Sequence, residues 1–139
     1  MRSVLDTNIF ISSLFWFGPP HTIIEKALDR KMDIFVSIDI LREIETVLKN
    51  KFGIAEDMIQ RYINLIMSYA LIVTPVHIGN IVKDDSKDNM ILECAVACDA
   101  DVIISGDHHL LDLKECNRIK IIAAKDFLAL FFKDEPEAA

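Results

Sequence analysis

At 139 residues, 52% of them hydrophobic, the chain has the length and apolar content of one domain around a single core. No apolar stretch reaches the roughly 20 residues that cross a bilayer, and Met1-Arg2-Ser3-Val4-Leu5-Asp6 meets a charge too soon for a signal peptide, so a soluble, cytoplasmic protein with no membrane partner is expected. Fifteen basic residues against 22 acidic ones give a net charge of −7, which excludes a broad positive field and leaves any polyanion to be held by local basic groups.

The first predicted strand is Ser3 to Leu5, and Asp6 sits at its carboxyl end. The aromatic run Leu14-Phe15-Trp16-Phe17 comes next; packing in the core or a loop is its expected role, and contact with a partner the second. Pro19-Pro20 opens a helix from Pro20 to about Arg30, a strand follows at Ile34 to Val36, and Ser37 is placed to cap a helix from Ile38 to about Lys51 that Gly53 stops. A helix from Glu56 to Tyr69 and a strand from Leu71 to Val73 come after it.

Asp84-Asp85 reads as a solvated loop, with Asp85 as a reserve ligand, and Ser86 as the cap of a helix from Lys87 to Cys98. The strand Val102 to Ile104 runs through the turn Ser105-Gly106 into Asp107, and His108-His109 read first as surface histidines of a short turn and second as imidazoles touching a phosphate or a metal. Ile119 to Ile122 is the last expected strand and Lys125 to Phe132 the last helix. The domain is expected to span residues 1–133, with the acidic residues 134–139 a disordered tail.

Strands alternating with helices predict an α/β fold with a parallel sheet. In such sheets ligands bind beyond the carboxyl ends of the strands, at the crevice where strand order reverses. A central first strand beside the fourth puts that crevice between Asp6 and Asp107. Asp88 falls in the first turn of its helix, in line with Ile91, Leu92 and Ala95, so its side chain points with the stripe that faces the sheet. Glu43 and Glu45 flank the stripe Ile40, Ile44, Val47 and Leu48 on opposite sides; Glu43 is nearer the helix start, but periodicity does not choose between them. Two carboxylates about 4 Å apart repel by roughly 4 kcal/mol at an effective dielectric near 20, so a cluster of them makes sense if it binds a cation. The three cysteines, Cys94, Cys98 and Cys116, are expected to be reduced, buried small hydrophobes, and His21 and His77 carry no assigned chemistry.

Four stretches carry a family resemblance: Val4-Leu5-Asp6-Thr7-Asn8, Ser37-Ile38-Asp39-Ile40-Leu41-Arg42-Glu43, Asp85-Ser86-Lys87-Asp88-Asn89 and Ile104-Ser105-Gly106-Asp107-His108-His109-Leu110-Leu111. In this order and strand context the chain resembles the PIN-domain nucleases, and among them the single-domain toxins of VapBC-type toxin–antitoxin pairs, nearly end to end. The resemblance implies a three-layer sandwich with a central five-stranded parallel sheet flanked by helices. It implies Asp6, Glu43, Asp88 and Asp107 as the catalytic acids around Mg2+ or Mn2+, with Asn8 and Ser105 orienting the cluster.

The activity implied is metal-dependent hydrolysis of RNA phosphodiesters. Asp6, Asp88 and Asp107 would hold the principal ion, with Glu43 bridging a second ion or positioning the attacking water. Lys87, Arg42 or Lys83 would meet flanking phosphates. The partners implied are the RNA substrate, a small antitoxin and a second copy of the chain in a homodimer. One departure is that His109 stands at a position often acidic in similar proteins, which puts a fifth carboxylate in question. Two rival readings are a receiver-like signalling domain, for which Lys125 is suitably placed but no Asp ends the third strand, and a catalytically inactive PIN-like metal-binding interaction module.

Overall fold

The computed structural model describes residues 1–77 and 86–133, Ser86 by its backbone only. Its elements in chain order are β1 (Arg2–Leu5), α1 (Thr7–Phe15), α2 (Pro19–Leu28), β2 (Asp33–Val36), α3 (Ile38–Asn50), α4 (Glu56–Tyr69), β3 (Ala70–Ile72), α5 (Ser86–Ala97), β4 (Val102–Ile104), α6 (His108–Leu111), β5 (Glu115–Cys116), β6 (Ile119–Ile122) and α7 (Ala124–Phe131). The five expected strands are β1, β2, β3, β4 and β6, all mutually parallel. The sheet has one strand more than expected, because β5 adds an antiparallel edge and gives the order β3-β2-β1-β4-β6-β5.

That order puts β1 beside β4, with the chain winding away from this pair in both directions, so the reversal point lies between them. A receiver-like sheet has the order 2-1-3-4-5, and the neighbours of β1 here, β2 and β4, do not fit it. In register, Leu5 pairs with Ile104, so Asp6 and Ser105 emerge side by side.

The core is the sheet with Val4, Leu5, Ile34, Val36, Ile103 and Ile104 essentially inaccessible, roofed by Ile91, Leu92 and Ala95 of α5, the stripe expected on that helix. Burying an aliphatic side chain of this size contributes about 1.5–3 kcal/mol. Cys94, Cys98 and Cys116 are free and buried in it. Ser37 caps α3, its hydroxyl accepting from the Ile40 amide at 3.2 Å. Gly53, at φ 62°, turns the chain out of α3 in a conformation glycine adopts without strain.

Two helices were not foreseen. α1 begins directly after Asp6, and α6 is a single turn after Asp107. The aromatic run also departs from its expected core or loop packing: Phe15 ends α1, and Trp16 and Phe17 are 61% and 82% exposed. The break at Gly18-Pro19 starts α2 before either ring can fold under a helix. Phe15 is half-covered by stacking on Phe52, ring centroids 4.6 Å apart. The expected solvated loop at Asp84-Asp85, the Ser86 cap, Lys83 and the tail 134–139 lie outside the described residues.

The Tyr62 hydroxyl donates to the Phe10 carbonyl at 2.8 Å and lies 3.2 Å from Ser13 Oγ, tying α4 to α1. Burial pushes its phenol up to about 12, against the opposing hydrogen bond from Ser13, and burial likewise pushes the Cys94 thiol up to about 12. The unfolded chain sheds these protons near pH 10 and about 8.5 respectively. It therefore binds fewer protons than the folded chain above those values, and stability falls as pH rises. Denaturant melts from pH 7 to 12 should show a midpoint flat to about 8.5 and falling beyond it, with the fall shallower in Tyr62→Phe. A midpoint that rises over this interval contradicts the burial of these groups.

Candidate functional site

The register of β1 against β4 builds the centre of the site. Asp6 is 6% exposed and its amide donates to the Ile104 carbonyl at 2.9 Å, which fixes its backbone to the end of β4. The fully buried Ser105 donates its hydroxyl to Asp6 Oδ2 at 2.6 Å and accepts the Asp107 amide at 2.9 Å. One hydroxyl thus spaces Asp6 from Asp107, and the short O–H···O− bond is of the charge-assisted kind. Asp107 in turn caps α6, its Oδ1 accepting from the His109 amide at 2.9 Å.

Asp88 arrives from α5, 3% exposed in the first turn, where a carboxylate also suits the positive end of the helix dipole. Asp88, Asp107 and His109 each offer a ligand atom, and these atoms lie within 4.8 Å of one another. His109 Nδ1 stands 3.9 Å from Asp88 Oδ2 and 3.8 Å from Asp107 Oδ1. His109 is exposed, as a surface histidine should be, and it also stands at the acids, as the second reading allowed. The usable sign in the sequence was its place two residues after Asp107.

The two glutamates that periodicity left equal are separated by tertiary structure. Glu43 pairs with Lys87 of α5 at 3.0 Å, beside Asp88 in the chain, whereas Glu45 accepts from Gln60 of α4 at 3.4 Å on the far side. Lys87 is accordingly engaged with a carboxylate rather than pointing to solvent alone. Asn8 is exposed in the first turn of α1, and Arg42 is exposed on α3. Thr7 and Asn89, each next to an acid in the stretches that carry the resemblance, are buried polar residues to which the sequence assigns no role.

The donor set fits a hard divalent cation. The carboxylate oxygens, half-open to solvent at the exposed His109, suit an ion that keeps several waters and takes bonds of about 2.0–2.1 Å to oxygen, and the imidazole beside them is a softer donor. Without a cation the clustered acids repel; among the described residues Lys87 stands on Glu43 and His109 stands near Asp88 and Asp107.

A family model described as the PIN domain matches residues 2–109, the stretch that holds Asp6, Glu43, Asp88, Asp107 and His109. Among solved structures, the crystal structure of VapBC2 from Rickettsia felis bound to a DNA fragment from their promoter contains a similar fold. It has 17% identity and a TM-score of 0.59, over 87% of this chain and 97% of that one. No curated protein matches the chain.

Proposed function

Because the chain belongs to the PIN-domain family, we propose that it is a metal-dependent endoribonuclease that hydrolyses RNA phosphodiesters as the toxin of a toxin–antitoxin pair. The observation that carries the reading is the convergence of Asp88, Asp107 and His109, with Asp6 joined to Asp107 through Ser105, at the point where the strand order reverses.

Asp6, Asp88 and Asp107 would hold the ion, Mg2+ or Mn2+. A divalent ion bound there supplies an acidified water and neutralises charge on the scissile phosphate and leaving oxygen. Ser105 is a positioning residue that keeps the Asp6 carboxylate turned towards Asp107, and Asn8, in the next turn, lines the same end of the sheet. Glu43 orients the attacking water, with Lys87 holding its carboxylate in place. Arg42, exposed on α3, is a cation for a flanking phosphate, in keeping with a chain of net charge −7 that binds its substrate locally.

The same reading makes a small antitoxin the partner. Leu14, Trp16 and Phe17 are exposed, and nearby Phe15, Ile54, Met58 and Leu65 line an apolar groove of about 370 Å3 that offers such a protein a surface. A homodimer and action in the cytoplasm belong to the same proposal; no helix of the described residues is long and apolar enough to cross a membrane.

The test is cleavage of total cellular RNA by the purified chain, mapped at nucleotide resolution. Discrete cuts should appear with Mn2+ or Mg2+ and vanish with EDTA. A protein that binds RNA and never cuts it under any divalent ion would be the interaction module instead, and cutting undiminished by EDTA would remove the metal from the mechanism.

A further inference from the structure

The position of His109 goes beyond a set of acids around an ion. Its Nδ1 is too far from Asp88 Oδ2 and Asp107 Oδ1, at 3.9 and 3.8 Å, for either to be a hydrogen bond. The separations fall instead between those of adjacent and opposed donors around one ion, about 3 Å and about 4.2 Å for bonds of about 2.1 Å. The ring is steadied from two sides, by its own amide on Asp107 Oδ1 and by the His108 ring, whose centroid is 4.3 Å away. With 55% of the side chain exposed, waters can complete the shell from outside.

Resting on the metal-dependent reading above, we propose that His109 lends an imidazole nitrogen to the ion held by Asp88 and Asp107, so that the site selects Mn2+ and later first-row divalent ions over Mg2+. Compared with a carboxylate, an imidazole brings no negative charge and is a softer donor. Both differences weaken the hold on Mg2+, which depends on oxygen and charge, more than the hold on ions that accept nitrogen readily.

The experiment is done on the full chain without substrate. Mn2+ is titrated in, its coordinated nitrogen is sought by electron spin echo modulation, and Mg2+ is used as competitor. Wild type should show a directly bound nitrogen that is absent in His109→Ala and retained in His108→Ala. Mn2+ affinity should fall about 10- to 100-fold in His109→Ala, with a smaller fall for Mg2+. His109→Asp should bind Mg2+ better than wild type does. Circular dichroism verifies folding, which the exposure of the side chain favours.

Mn2+ bound tightly with no coordinated nitrogen, or an unchanged Mn2+/Mg2+ ratio in both His109 variants, overturns the inference and leaves the nuclease reading intact. A wild-type protein that binds neither ion overturns both.

Discussion

Asp6→Asn should abolish metal-stimulated RNA cleavage, by about a thousandfold or more, in a protein that remains folded. The side chain is buried, and its surroundings are built for its shape: Ser105 donates to Oδ2 at 2.6 Å and can donate equally to an amide oxygen. What the substitution removes is one negative charge beside the ion, where several kcal/mol of stabilisation in the transition state are at stake. At about 1.4 kcal/mol per factor of ten, that is a loss of roughly three orders of magnitude. Single-turnover cleavage with Mn2+ measures it, and Mn2+ titration should show the affinity falling in parallel. Wild-type rates in Asp6→Asn would mean that the acids at this end of the sheet are structural.

The second large effect is on stability. Acids that repel one another in the empty site are relieved by a divalent ion, and an ion that binds only the folded chain stabilises it by mass action. At one hundred times the dissociation constant the gain is about 2.7 kcal/mol. For a domain of this length that corresponds to a rise on the order of 8–10 °C in melting temperature. Thermal melts in EDTA and in saturating Mn2+ should show the shift in wild type, and Asp88→Asn should suppress most of it. Identical melts for wild type in the two buffers would count against the ion.

Much of this arrangement is legible in the linear chain, for local reasons. Asp6 and Asp107 stand at the ends of apolar runs, and Asp88 shares the period of Ile91, Leu92 and Ala95, so their direction follows from helix and strand geometry alone. Ser105 beside Asp6 follows only from the register of β1 and β4, which no pattern within either strand states. α1 escapes detection because Ile9, Phe10 and Ile11 are all buried in succession, and a short continuous apolar run carries no helical period. α6 and β5 are too short to have a period at all. Glu43 and Glu45 are equivalent on their own helix and differ only in whether α5 or α4 lies opposite. His109 is the same case: its identity as a turn residue is local, whereas its nearness to Asp88 depends on where α5 packs. The aromatic run misleads because hydrophobicity predicts burial, yet Trp16 and Phe17 fall in the break between two helices.

The hydroxyl that joins the ends of β1 and β4 makes chemistry a witness to assembly. Were one strand to slide past its neighbour by a single position, side-chain alternation would carry the first acid to the opposite side of the sheet and break the link to the third. A mispaired chain would then be inert, and hydrolytic capacity would emerge only once the central pair has locked into its proper alignment.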